Sequence, residues 1–303
     1  MPELPQGPQL PKGVVVGYDG TLSADSAVRW AAAEAARRGR PLTVVHAADY
    51  ALIPGPMGAP PYRPDLAEKS AARIVSAGIE VAKSEFPDVE VAGRTVIAGV
   101  TQTLVDLSRD ADLLVVGSHG HSEVGAVLLG SVALTATAHA HCPVVVVRDG
   151  AALPGPEHPV VVGTDGSDSC TQAVRFAADQ AAERGAALTI VAVSPTIGSP
   201  VWTEAVGLSL EAGGRVEFQK IMTAEAHETV SAAAQLVRTT HPALPITERI
   251  IEGRAADGLV EAARGAGLLV VGSRGRGAFT GLLLGSVGHG CLLRATCPVA
   301  IVR

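Results

Sequence analysis

Aromatic side chains are scarce: Phe, Trp and Tyr make up only 3% of the 303 residues. A core without rings must be filled by Val, Leu, Ile and Ala, the mixture of α/β proteins with buried parallel strands. Cysteine is equally sparse. The four, Cys142, Cys170, Cys291 and Cys297, form no C-x-x-C pair, and a chain of this length needs no disulfide staples. They read as small buried residues. A basic excess is missing too: 24 Lys and Arg face 30 Asp and Glu, for a net charge of -6, which disfavours a general nucleic-acid binder. No run approaches the ~18 apolar residues of a membrane span. The N-terminal MPELPQGPQLPKG lacks the apolar core of a signal peptide. The expectation is a cytoplasmic chain with neither membrane nor nucleic acid as partner. Two familiar phosphate signatures are also absent. There is no Gly-x4-Gly-Lys-Ser/Thr loop, and no Gly-x-Gly-x-x-Gly follows a first strand.

What is present is a repeat. Val14-Val15-Val16-Gly17-Tyr18-Asp19-Gly20 returns as Val160-Val161-Val162-Gly163-Thr164-Asp165-Gly166, offset by 146. Leu42-Thr43-Val44-Val45 returns as Leu188-Thr189-Ile190-Val191 at the same offset. Leu113-Leu114-Val115-Val116-Gly117-Ser118 returns as Leu268-Leu269-Val270-Val271-Gly272-Ser273, and Cys142-Pro143-Val144 as Cys297-Pro298-Val299, both offset by 155. The second copy therefore gains nine residues between its second and third strands. Two domains are expected, residues 1–150 and 151–303, each large enough to bury a core. The Gly-, Pro- and Ala-rich stretch Asp149 to Pro159 is the expected linker.

Within a copy, strands and helices alternate. Val14 to Tyr18 reads as a buried strand, and the Ala-rich Ser23 to Arg38 as a helix stopped by Gly39. A second strand, Val44 to Ala47, is followed by a Pro/Gly-rich loop, Ile53 to Pro64, and a helix from Asp65 to Glu85. Val91 to Ile97, Leu113 to Val116 and Val144 to Arg148 read as strands, with helices from Thr101 to Arg109 and after Ser131. This alternation predicts an α/β fold: two similar doubly wound domains, each a five-stranded parallel sheet with helices on both faces.

The sharpest chemical signal follows the fourth strand. Gly117-Ser118-His119-Gly120, nine residues, then Gly130-Ser131 in the first copy matches Gly272-Ser273-Arg274-Gly275, nine residues, then Gly285-Ser286 in the second. Glycines let a backbone approach a phosphate closely, and a helix opening at Gly-Ser turns N–H groups and a dipole toward an anion. The plainer alternative is a strand-to-loop turn with Ser131 as an N-cap. Recurrence at identical spacing favours binding. Asp19 and Asp165, each before a Gly at the end of a first strand, either accept a hydrogen bond from a ligand or close an Asx-turn ahead of the next helix.

The Asp-Gly, the Gly-x2-Gly-x9-Gly-Ser-Val loop and the Cys-Pro-Val final strand together resemble a tandem universal stress protein of the ATP-binding branch. The resemblance spans both copies. It implies that Asp19 and Asp165 contact the adenosine part and that Gly17 and Gly163 line the same pocket. It implies that Ala47 and Val193 offer backbone groups to the adenine edge, with Val116 and Val271 beside the ribose. Gly117, His119, Gly120, Gly130, Ser131 and Val132 would hold ribose and phosphates, as would Gly272, Arg274, Gly275, Gly285, Ser286 and Val287. It further implies pairing of domains through the last strand. A homodimer and an unidentified regulatory protein are the partners expected. The copies depart from each other at one telling place. His119 is replaced by Arg274, and His121 by Arg276 one step on; Arg is permanently charged, whereas His is mostly neutral at pH 7. His46, facing Ala192 in the other copy, His139 and His141 carry no shared pattern. The function expected is an ATP-binding stress-response regulator with one adenine-nucleotide site per domain. A slow ATPase of the same fold is the alternative. No paired carboxylates or acidic metal cluster stand out, although Mg2+ could enter on the phosphates.

Overall fold

A computed structural model describes residues 12–47, 64–120, 129–196, 212–276 and 283–303. His121 and all but the last residue of the expected Ile53–Pro64 loop lie outside these. The chain divides into two compact units, Met1–Pro154 and Gly155–Arg303.

In the first unit the described elements run β1 (Val14–Gly17), α1 (Leu22–Arg38), β2 (Leu42–Ala47), α2 (Pro64–Glu85), β3 (Val91–Val96), α3 (Val100–Leu107), β4 (Leu113–Gly117), α4 (Ser131–His139) and β5 (Val144–Val147). The second repeats them as β6 (Val160–Gly163), α5 (Asp168–Arg184), β7 (Leu188–Ser194), α6 (Ala212–Thr240), β8 (Ile246–Glu252), α7 (Ala255–Ala262), β9 (Leu268–Gly272), α8 (Ser286–Arg294) and β10 (Val299–Val302). Every strand pairing within a unit is parallel, in the order β3-β2-β1-β4-β5 and its counterpart β8-β7-β6-β9-β10. The expected α/β architecture of two doubly wound domains is thus present.

The apolar strands are uniform because both faces of each sheet are covered. α1 and α2 pack together on one face and α3 and α4 on the other; α5 with α6, and α7 with α8, do the same in the second unit. Val14, Val16, Leu114 and Val115 are wholly or almost wholly buried, as are Val160, Val162, Leu269 and Val270. α1 starts where Thr21 accepts the Ala24 N–H (3.3 Å) and ends at Gly39, whose φ of 58° is the left-handed stop that glycine adopts without strain. α5 has the same construction, with Ser167 as N-cap and Gly185 as stop. Among the described residues α2 has 22 and α6 has 29.

The strand order matters for function. Crossovers from β1 lead one way and those from β4 the other, so the loops after β1 and β4 diverge over a crevice. Ligands of open α/β sheets bind at such a switch point, outside the carboxyl ends of the strands.

Candidate functional site

The crevice of each unit is built from two loops that reach toward each other. After β1, Asp19 turns the chain into α1. Its Oδ1 accepts hydrogen bonds from the Thr21 N–H (3.1 Å) and the Thr21 hydroxyl (2.7 Å). In the second unit Asp165 Oδ1 accepts the Ser167 N–H at 2.9 Å. These are Asx-turns, and each needs the following glycine, because Gly20 and Gly166 have φ of 85° and 78°. The helix cap itself falls to Thr21 and Ser167. One oxygen of each aspartate is therefore spent on the turn.

The other oxygen faces the glycine loop. A methyl group on Gly120 would come to 2.8 Å from Asp19 Oδ2, and one on Gly275 would overlap Asp165 Oδ2 outright. Asp165 Oδ2 also accepts the Arg276 N–H at 2.9 Å. Burial on its own would raise the Asp165 pKa, but the hydrogen bonds from the Ser167 hydroxyl and N–H and from Arg276 outweigh it and hold the carboxyl below its ordinary value. Turn-former and loop-facing acceptor are both true of this residue, one oxygen each.

The loop after β4 is shaped by packing across the sheet. A Cβ at Gly117 would stand 3.0–3.1 Å from Ser23, including its backbone, and one at Gly272 would stand 2.7–3.1 Å from Ser169 and Cys170. Only glycine lets the start of α1 or α5 lie so close to the strand end. Ser23 then accepts the His119 N–H, and Ser169 the Arg274 N–H, both at 3.4 Å. Further on, the Gly130 N–H donates to the Ser118 carbonyl and the Gly285 N–H to the Ser273 carbonyl, each at 2.8 Å. This clasp returns the chain to the strand end just as α4 or α8 begins.

Ser131 and Ser286 are the first residues of those helices and are exposed; Val132 and Val287 are part-buried beside them. Gly130 and Gly285, at the cap positions, supply no side-chain hydrogen bond. The first-turn N–H groups therefore have no side-chain cap and lie at the positive end of the helix dipole, an arrangement that suits an anion.

At the far side of the crevice, pairing of β2 with β1 stops at Gly17↔Val45 while β2 runs on to Ala47. β7 likewise outruns β6 from Gly163↔Val191 to Ser194. Ala47 and Val193 therefore lie where no strand lies alongside on the β1 or β6 flank. Val116 and Val271 are buried within β4 and β9. Gly17 and Gly163 have a different neighbour. A Cβ at Gly17 would meet Leu104 at 3.2 Å, and one at Gly163 would meet Leu259 at 2.6 Å. Their smallness seats the leucines of α3 and α7 under the site.

A profile of the universal stress protein family matches residues 11–148 and again 157–303. The chain belongs to the universal stress protein family. A universal stress protein of Mycobacterium tuberculosis is 35% identical over 303 residues, with 98% of each chain covered. A second from the same organism is 34% identical over 308 residues, with 96% of each covered. Among solved structures, a universal stress protein from Archaeoglobus fulgidus superposes with a TM-score of 0.68 at 16% identity, covering 96% of this chain and 98% of that one. That likeness speaks for the fold alone.

Several contacts in this universal stress protein escaped the sequence pattern. The His46 Nδ1 lies 2.8 Å from the Tyr18 carbonyl and must be its donor, which ties the end of β2 to the aspartate loop. The His119 Nδ1 lies 2.8 Å from the Ser118 hydroxyl. Arg276 reaches across to form an ion pair with Glu225 of α6. Arg303 stands near enough to Arg274 that, after desolvation, their repulsion lowers its pKa. The signal that could have found Glu225 is that its counterpart at the 155 offset is Ser70, just as Arg276 replaces His121. No group of three or more His, Cys, Asp or Glu able to hold a metal occurs among the described residues, and no helix there is long and apolar enough to cross a membrane.

Proposed function

We propose that the chain is a regulatory, stress-responsive nucleotide-binding protein that takes one adenine nucleotide, ATP foremost, in each unit. One observation carries the reading. At the switch point of both sheets, a carboxylate oxygen, a glycine-framed loop and the first turn of a helix converge within one crevice. The carboxylate suits hydroxyl and amine donors of the nucleoside, and the helix start suits its phosphates. Strand ends at Ala47 and Val193 give an adenine edge backbone groups to bind. Mg2+ would arrive on the phosphates. Occupancy acts on a partner, or on pairing between chains, only through different affinity for the two arrangements.

Calorimetric titration with ATP tests this directly. The expected stoichiometry is two per chain, falling to one in Gly120→Val and to one in Gly275→Val, since either side chain would strike the aspartate. A chain that takes up no heat with ATP, ADP or AMP at millimolar concentration sinks the proposal. The ATPase alternative predicts steady phosphate release that Ser131→Ala with Ser286→Ala abolishes.

A further inference from the structure

The two units differ where α1 meets α2 and α5 meets α6. In the first, Tyr18 leaves the end of β1 and fills the space between the helices. Its ring lies against Gly78, where a Cβ would come within 2.8 Å, and its hydroxyl donates to Asp25 at 2.8 Å. In the second unit the aligned residues are Thr164 for Tyr18, Thr171 for Asp25, Thr229 for Ile74 and Ala233 for Gly78. The register is confirmed in space, because Ile74 is the side chain nearest Gly20 and Thr229 lies by Gly166. Where the tyrosine would sit there is a groove of about 410 Å³.

The lining decides what fits. Thr164, Thr171 and Thr229 bring three hydroxyls, Glu225 and Glu228 two carboxylates, and Arg276 one guanidinium, over a floor that includes Val174, Ala233 and Leu236. No aromatic ring lines it, so a nucleobase has no stacking platform. Arg276 is already paired with Glu225 and Glu228 adds a further negative charge, so a phosphate is repelled. So many hydroxyl and carboxylate groups exclude a purely apolar occupant. Short polar groups fanned over an aliphatic strip suit a compact molecule with hydroxyls around its edge and C–H faces above and below.

We propose that the α5–α6 groove of the second unit is a binding site for a small neutral polyol of the sugar class, in the space that Tyr18 fills in the first. The site is separate from the nucleotide crevice and does not depend on it, although Arg276 borders both.

The test is a methyl NMR titration of the full chain, following Thr164, Thr171 and Thr229, with glucose, ribose and myo-inositol as probes. Inorganic phosphate and adenosine serve as contrasting arms. Saturable shifts at these threonines with at least one of the three polyols, in the millimolar range, are expected. Thr164→Tyr with Ala233→Gly imports the first unit's own plug and should weaken that binding at least tenfold, read at Thr171 and Thr229. Thr229→Ile is the second variant should the plug fail to fold. The inference is overturned if none of the polyols gives a saturable shift, if the plugged and Ile variants titrate like the parent, or if phosphate or adenosine moves Thr171 and Thr229 while the polyols do not.

Discussion

The two units hold one frame and finish it differently. Asp-Gly turns, the Ser118–Gly130 and Ser273–Gly285 clasps and the starts of α4 and α8 recur in both. Around them the first unit places Tyr18, His46 and His119, where the second places Thr164, Ala192 and Arg274. The first is plugged and carries imidazoles; the second is open and carries guanidinium groups. Tyr18 shows how firmly its side is closed. Burial, then the hydrogen bond to Asp25 and that residue's charge, push its hydroxyl pKa well above the ordinary value. The lesson is that a repeat preserves what the backbone must do and releases what side chains add. The glycines are set by backbone contacts that both copies share, whereas a side chain pointing into solvent or a groove is free to diverge.

The comparison breaks most severely at the glycines. Gly272→Ala and Gly117→Ala should each destabilise their unit by about 1–3 kcal/mol, the usual cost of overpacking. Gly272 should suffer more, because its added methyl meets Ser169 at 2.7 Å against 3.0 Å for the Ser23 contact at Gly117. Thermal melting by circular dichroism, with hydrogen exchange to assign the unit, checks both the size and the order.

Exchanging the phosphate ends comes next. His119→Arg should tighten ATP at the first site and Arg274→His should loosen it at the second, each by about five- to tenfold, the scale of one charge-assisted contact. Calorimetry on the single variants and on the swap decides it; affinities indifferent to both changes would mean that neither side chain meets the ligand.

Acid should single out Asp165. Its folded pKa lies below the ordinary 3.8, so its contribution is complete above that value and is lost as pH falls through the lower folded one. Asp165→Asn should therefore lower the urea midpoint of the second unit near neutrality, and the gap should close as pH falls through the lowered pKa. A gap that persists in acid would assign the loss to geometry instead of charge.

The smallest expected effect concerns the thiols. Burial pushes Cys142 and Cys291 up to about 12, so neither should react with a thiol reagent at pH 8 in the folded chain. In rising urea, labelling of Cys142 reports opening of the first unit and that of Cys291 opening of the second. Their order ranks the two units in stability.

Much of this was legible in the residues. Uniform Val and Leu runs revealed buried parallel strands because both faces of each sheet are covered, and Gly39 marked the end of α1 because only a left-handed residue closes it so. The position of the nine-residue insertion was readable from two offsets. The glycine loop and the two aspartates were visible as patterns. Their reasons were not: Gly117 is required by Ser23, ninety-four positions away, and Gly17 by Leu104. The Arg276–Glu225 pair and the Tyr18–Gly78 fit are likewise long-range meetings, and a sequence shows one only when a repeat changes both partners together.

The clasp between Ser118 and Gly130, and its twin between Ser273 and Gly285, has a consequence for engineering. It fixes the two ends of a loop. Doubling the length of such a loop adds only about 0.6 kcal/mol of closure entropy. A reporter peptide or an affinity tag spliced between those ends should leave them in place and cost the unit little stability.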